Sequence, residues 1–317
     1  MNWFARLNDG HKMKNKDIRI VQGWPEDLEA MAAFLDSNWD YDSIGAGMLG
    51  EKLHDDPMAD SGLCFTAMAG ELIAGMLYCV QRDIRGQRLG YVKLMAVGKP
   101  HRRRGLGSRL YERAEGLLKQ SGVTAMRWYD VPLNYFMPGL DPRYTPAYCF
   151  ALRHGFKQVG EAVNMLAPLQ GKDWSTGLAE RSLQERGVEV RRAGEADLPA
   201  LRDLLSQEWA LWNNEVDMAM RDSPPSVHIA LKNNRIIAFS VHNGNNKGSG
   251  WFGPMGTHPD ARGLGVGNVL LKRCLQDMQD QGHRQAIIPW VAPVAFYAHY
   301  VDASIDRVFW RMEKTIQ

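Results

Sequence analysis

A chain of 317 residues has room for roughly two domains of about 150 residues, each able to bury a core of its own. Its 45% hydrophobic and 23% charged residues are ordinary for a soluble globular protein. A net charge of +2 offers no basic field for nucleic acid or for an anionic membrane, so neither partner is expected.

Residues 1–17 lack the apolar core of a signal peptide, and no run approaches the length of a membrane span; a cytoplasmic protein is expected. A strand is predicted over 18–21, then a helix over 25–35 with Leu28, Met31, Ala32 and Leu35 on one face. Residues 36–62, polar and rich in glycine and aspartate, read as a broken helix with loops. Strands over 62–68 and 71–81, turned at Ala69-Gly70, precede a strand over 90–97. A helix over 107–120 carries Leu110, Ala114, Leu117 and Leu118 at helical spacing. A strand over 124–129, a short helix over 147–154 and a strand over 156–166 close the first half.

The polar stretch 168–187 breaks the pattern and is read as a linker between domains at 1–167 and 188–317. The second half then replays the order: strand 188–192, helix 196–209, strands 226–231, 235–242 and 251–257, helix 267–280, strand 285–290, helix 293–300, strand 305–313. Each half is thus expected to be an α/β unit with a mixed, mostly antiparallel sheet rather than a regular βαβ alternation.

The replay is also visible in the letters. Ile18-Arg19-Ile20 matches Val188-Glu189-Val190, Asp27-Leu28 matches Asp197-Leu198, Leu35 matches Leu205 and Trp39 matches Trp209, all at an offset of 170. Arg102-Arg103-Arg104-Gly105-Leu106-Gly107 and Arg262-Gly263-Leu264-Gly265-Val266-Gly267 both fit R-x-x-G-x-G, at an offset of 160. About ten residues are therefore missing from loops of the second copy, where length changes cost little. Each motif follows an apolar run and opens a helix, where glycine leaves backbone N–H groups free to cradle a phosphate. The four cysteines, Cys64, Cys79, Cys149 and Cys274, stand in apolar surroundings without metal spacing; they read as reduced core thiols, and no metal is expected.

The longer strings are more specific. Val97-Gly98-Lys99-Pro100-His101 leads into the first motif, and Met255-Gly256-Thr257-His258-Pro259-Asp260-Ala261 into the second. Both resemble the acyl-CoA-binding motif of the GNAT superfamily of N-acetyltransferases, and the order of elements extends the resemblance over nearly the whole chain. The resemblance implies two tandem GNAT-like domains, each a twisted, mostly antiparallel sheet flanked by helices, with acetyl-CoA as acetyl donor. It implies that Arg102, Arg103, Arg104, Gly105, Leu106, Gly107 and Ser108 hold the pyrophosphate in one copy. Arg262, Gly263, Leu264, Gly265, Val266, Gly267 and Asn268 would hold it in the other. The strand before each motif, with Met95 and Val97 or Met255 and Thr257, is expected to splay from its neighbour and pair with the pantetheine arm. Pro254 removes one N–H from the second of these strands.

In that family a tyrosine on the short late helix protonates the departing thiolate. Tyr297 stands at the matching place in the second copy; in the first, Ala151 stands there, and Tyr148 or Tyr144 would substitute. The chemistry is accordingly expected in the second copy. The expected acceptor is a small primary amine, with the enzyme a monomer or homodimer. Asp36, Asp40, Asp42, Glu51, Asp55, Asp56 and Asp60, with Glu208, Glu215, Asp217 and Asp222, read either as solvated loop charge or as an acidic wall for a cationic substrate. Trp251-Phe252-Gly253-Pro254-Met255-Gly256 and Ile287-Ile288-Pro289-Trp290-Val291-Ala292-Pro293 resemble zwittermicin and paenilamicin resistance acetyltransferases more than mycothiol synthase. The alternatives are an amino-sugar or mycothiol-type metabolic enzyme, a protein acetyltransferase, and a non-catalytic acetyl-CoA sensor or scaffold.

Overall fold

Both halves lay down one succession of elements in the computed structural model, which describes residues 18–316. The first half contains β1 (Ile18–Gln22), α1 (Leu28–Asn38), α2 (Ala46–His54), β2 (Cys64–Ala69), β3 (Leu72–Ile84), β4 (Gln87–Val97), α3 (Leu106–Gln120), β5 (Ala125–Trp128), α4 (Thr145–Arg153) and β6 (Lys157–Pro168). After α5 (Gly177–Glu185), the second contains β7 (Val188–Arg192), α6 (Leu198–Glu208), α7 (Asn213–Met220), β8 (Val227–Lys232), β9 (Arg235–His242), β10 (Phe252–Thr257), α8 (Val266–Asp280), β11 (Gln285–Ile288), α9 (Val294–Val301) and β12 (Ser304–Thr315). The reading of residues 1–17 as lacking a leader lies outside the described residues. Among those described, no helix is long and apolar enough to cross a membrane.

Local chemistry accounts for the helices. The Asp27 side chain accepts the Ala30 N–H and starts α1, which buries Met31, Ala32 and Leu35. In α3 the buried set is Leu106, Leu110, Tyr111, Ala114 and Leu118; of the predicted stripe, Leu110, Ala114 and Leu118 are buried and Leu117 is half-buried. Two stretches are more regular than expected. The polar segment after α1 holds the nine-residue α2, which buries Leu49 and Leu53. The linker holds α5, which tucks Leu183 into a core cluster and pairs Glu180 with Arg273 of α8 at 2.7 Å. The residues missing from the second copy come partly from its hairpin: β3 and β4 are 13 and 11 residues long, β9 and β10 only 8 and 6.

The largest departure is in the pairing of strands. The order is β1-β2-β3-β4-β5-β12-β6-β11 in one eight-stranded sheet and β10-β9-β8-β7 in a four-stranded one. Strand β12 lies between β5 and β6 and runs antiparallel to both, while β6 pairs antiparallel with β11. Each half therefore gives its last strand to the other's sheet. Ion pairs fit β12 to its adopted neighbours: Glu313 meets Arg127 at 2.7 Å, and Arg311 meets the buried Asp130 at 2.9 Å. The period-2 pattern that marks a strand says which face is buried, not which strand lies beside it. Trp251 bridges Ile287 where the two sheets meet.

Candidate active site

Strands β4 and β5 run parallel from Leu89–Ala125 to Val92–Trp128 and then part. A bulge begins the parting. Tyr78 pairs with Leu94 and Cys79 with Val92, so Lys93 is the extra residue on β4. Its buried ammonium donates to Asp56 Oδ2 at 2.5 Å, Asn134 Oδ1 at 2.7 Å and the Lys52 carbonyl at 2.8 Å. Burial pushes its pKa down to about 7. On the facing side Tyr129 takes φ of +65° and turns the chain away. The wedge between the strands opens into a cavity of about 800 Å³, lined among others by Trp39, Met95, Val97, Trp128, Tyr129, Tyr144 and Phe150.

The first motif closes one end of this cavity. Gly105 has φ of +81°, a left-handed conformation that side chains resist, and caps α3 with no side-chain hydrogen bond. The opening N–H groups of α3 are thus uncapped by any side chain. A Cβ on Gly107 would stand 3.2 Å from Phe150 and 3.3 Å from the Met95 methyl, so a side chain here crowds this wall unless that ring and that methyl give way. Met95, Val97, Arg102, Arg103, Gly105, Leu106, Gly107 and Ser108 all line the cavity; Arg104 does not. The arginines divide their roles. Arg102 donates through Nε to the Val97 carbonyl at 2.9 Å and through Nη2 to the Asn38 carbonyl at 2.7 Å, bracing β4 against α1. Arg103 stands exposed at the rim. Ser108 Oγ lies 2.9 Å from His154 Nε2. Cys149 departs from the other three cysteines, being exposed and on the cavity wall.

Two tyrosine hydroxyls reach this space. Tyr129 donates to the Met95 carbonyl at 3.3 Å, an oxygen that also accepts Trp39 Nε1 at 3.1 Å. Tyr144, just before α4, donates to Asp42 Oδ2 at 2.8 Å and accepts the Tyr41 N–H at 3.0 Å. Burial, reinforced by the Asp42 carboxylate, pushes both phenols well above the ordinary tyrosine range, so both stay protonated at neutral pH. Tyr148 stands elsewhere: its ring packs on Trp310 at 4.7 Å and does not line the cavity. Sequence reasoning passed over Tyr129, the last residue of a predicted strand. The Trp128-Tyr129-Asp130 run beside the expected splay was the available signal; the left-handed turn that aims the ring leaves none.

The second motif repeats the backbone of the first. Gly263 and Gly265 have φ of +79° and +86°, and α8 likewise begins without a side-chain cap. Met255, Thr257 and Phe296 surround Gly267, where a Cβ would meet them at 3.5 to 3.6 Å. Arg262 is exposed, Val266 is buried, the Leu264 carbonyl accepts Arg186 Nη2 at 2.8 Å, and the buried Asn268 Oδ1 has no hydrogen-bond partner. Beside β10, however, the Trp209 indole lies 2.8 Å from where a Cβ on Gly256 would be, stacked on Trp212 at 5.5 Å. Its counterpart Trp39 instead bonds to the strand edge. Tyr297, 8% exposed, is packed between Phe252 and Phe296, and burial pushes its pKa up to about 12.

Most acids of the expected wall are engaged inside the fold. Asp36 accepts the Ile44 N–H and the Ser43 hydroxyl, and Asp60 accepts the Gly62 N–H. Asp56 holds Arg82 and Lys93, Glu51 holds Lys52, and Asp42 holds Arg307. Asp217 pairs with Arg202 and Asp222 with Lys247. Asp40 and Asp141 are the carboxylates that line the cavity.

Residues 31–135 and 195–299 each match the acetyltransferase (GNAT) family, so the chain belongs to that family and carries its domain twice. No curated protein matches the chain. Solved structures share the fold at low identity. A GCN5-related N-acetyltransferase from Sphaerobacter thermophilus aligns over 96% of this chain and 97% of its own, at 15% identity and a TM-score of 0.69. A tandem GNAT protein from the clavulanic acid biosynthesis pathway aligns over 94% and 98%, at 15% identity and a TM-score of 0.66. The GCN5-related glucosamine N-acetyltransferase region of a fungal multi-domain GH3 β-N-acetylglucosaminidase aligns over 94% of this chain, at 14% identity and a TM-score of 0.78. This chain spans 38% of the length of that fungal one.

Proposed function

We propose that the chain is an acetyl-CoA-dependent N-acetyltransferase whose chemistry runs in the cavity of the first half, on a primary amine of a small molecule. The observation that carries this reading is the splayed β4–β5 wedge ending on an uncapped helix start beside Gly105 and Gly107. The site fits the donor: the amides of Leu106, Gly107 and Ser108, with Arg103 at the rim, make a pyrophosphate cradle whose floor a side chain at 107 would fill. Bound acetyl-CoA supplies an activated acetyl thioester. The chain supplies the rest. As the amine nitrogen bonds to the acetyl carbon and the carbon–sulfur bond breaks, Tyr129, protonated at neutral pH and pointed across the wedge, gives a proton to the leaving sulfur, and the proton shed by the nitrogen returns through solvent to the phenolate. Tyr144 donates its hydrogen bond to Asp42 and accepts the Tyr41 N–H, and its remaining lone pair accepts an N–H and so orients the amine. The second motif, beside which Trp209 packs against Gly256 of β10, is assigned a structural part.

The sharper form of the proposal is a cationic substrate such as an amine-bearing antibiotic, supported by the exposed Asp40 at the cavity, whose only ion pair among the described residues is a 3.3 Å one with the exposed Lys99. Acetylation would remove the charge and the donors of its ammonium group. The reaction is placed in the cytoplasm, without nucleic acid or membrane. The test is free CoA release together with an acetyl mass gain across cationic antibiotics and amino sugars. Gain on cationic antibiotics supports the sharper form, and gain on amino sugars alone makes the enzyme metabolic. Tight acetyl-CoA binding without transfer to any amine would make the protein a sensor.

A further inference from the structure

Strand β12 belongs by sequence to the second half, yet it backs one wall of the first half's cavity. Leu140 and Trp310 exchange both main-chain hydrogen bonds, at 2.9 and 2.8 Å. A Cβ on Gly139 would stand 2.8 Å from the Trp310 carbonyl oxygen, so the wall segment lies directly on the strand. From the same strand Arg307 reaches two carboxylates. Its Nη1 donates to Asp42 Oδ1 at 2.6 Å, and its Nη2 reaches Asp42 Oδ2 at 3.2 Å. Its Nε and Nη2 donate to Asp141 Oδ2 at 2.9 and 2.6 Å. Asp42 in turn holds the Tyr144 hydroxyl, and Asp141 and Tyr144 face the cavity. Asp42 is 7% and Asp141 1% exposed, so water screens their mutual repulsion little; Asp141 also holds Arg143 at 2.7 Å, whereas Arg307 is the cation that spans both carboxylates.

We propose that Arg307 is a positioning residue for the first half's transfer site, fixing Asp42 and through it the Tyr144 hydroxyl, so that the second half completes the site of the first. The kinetic part of this rests on the acetyltransferase reading; the positional part does not. Without the guanidinium, Asp141 keeps Arg143 but Asp42 loses its tie to β12 and moves away, and Tyr144 loses the acceptor that orients it. The Tyr41 N–H, bonded to the Tyr144 oxygen, reports that loss directly.

The test compares Arg307→Met and Arg307→Lys with Arg311→Gln, which removes another β12 cation paired with a buried acid, Asp130, that does not line the cavity. Two readouts are taken: hydrogen exchange at the Tyr41 amide, and steady-state kinetics. In Arg307→Met the Tyr41 amide should lose protection and kcat should fall roughly 10- to 100-fold, the scale of a mispositioned group. KM for acetyl-CoA should stay unchanged. Arg307→Lys should recover only part, since an ammonium neutralises the pair without spanning it, and it decides the matter if the methionine variant does not fold. Arg311→Gln should lower the melting temperature and leave both readouts alone. Unchanged Tyr41 protection on loss of Arg307 overturns the proposal. Equal losses in Arg311→Gln overturn it too, reducing Arg307 to a residue that docks the strand. If the wild-type chain acetylates no amine, the exchange result still decides whether Arg307 holds Tyr144, and it is the acetyltransferase reading that fails.

Discussion

Tyr129 and Tyr144 offer one cavity two hydroxyls of opposite sense, a difference set entirely by their partners. The first directs its proton across the wedge toward a carbonyl, and the second commits its proton to a carboxylate. Tyr129→Phe keeps the ring and deletes the donor, so kcat should fall roughly 10- to 100-fold with KM little changed. Tyr144→Phe deletes the oxygen that orients the amine and should lower kcat by a similar factor, with KM for acetyl-CoA unchanged. Tyr297→Phe and Tyr148→Phe should turn over normally, because neither ring lines the cavity. Steady-state kinetics on the four variants decides. A dead Tyr297→Phe beside a normal Tyr129→Phe would move the chemistry to the second half.

At the scale of elements, the exchanged strands make the two halves interdependent. Strand β12 is interior to the eight-stranded sheet, and removing residues 304–316 would leave β5 and β6 with unpaired edges facing each other. That truncation should yield insoluble protein. Separately expressed fragments 18–187 and 188–316 should each aggregate alone and become soluble together; a soluble, cooperatively melting 18–187 fragment would contradict this. What was legible in the sequence follows the same physics. Helix stripes such as Leu110, Ala114 and Leu118, the glycine-bearing motifs and the doubled order of elements are local signals, and they are found where spacing put them. The family and the doubled fold followed from them. The exchange did not, because β12 alternates as any strand does and its partners lie more than a hundred residues away. Likewise Asp42, Asp56 and Glu51 read as free acids, since the cations that hold them are distant in sequence or hidden with them in the core. Trp209 read only as a repeat landmark, and its stacking against Gly256 is a property of packing.

Across the whole molecule the halves are also joined by buried charge. Lys52 and Glu51 of α2 meet the β9–β10 connection, with Lys52 Nζ donating to Asn245 Oδ1 at 2.5 Å and the amides of Asn246 and Lys247 donating to Glu51 at 2.9 Å. Glu215 of α7 faces this cluster. Burial raises its pKa to about 7, with Glu51 adding to the rise and Lys52 opposing it. The folded chain therefore keeps a proton that the unfolded chain releases between its ordinary value of 4.5 and about 7. Stability from this group is complete below the lower value and is lost as pH rises through the upper one, by about 1.4 kcal/mol for each pH unit between the two. Melting temperature should fall over that window, and Glu215→Gln, which stays neutral throughout, should flatten the fall. A profile unchanged by the substitution would show that other groups set it.

On the proposed function, acetyl-CoA is held by the first half. Calorimetric titration of acetyl-CoA into the wild-type chain, Gly107→Val and Gly267→Val tests it most directly, with melting curves to show that each variant is folded. One site is expected in the wild type, lost in Gly107→Val, where the new side chain meets Phe150 and Met95 at the cavity floor, and retained in Gly267→Val. Binding that survives in Gly107→Val and disappears in Gly267→Val would contradict it and give the site to the second half.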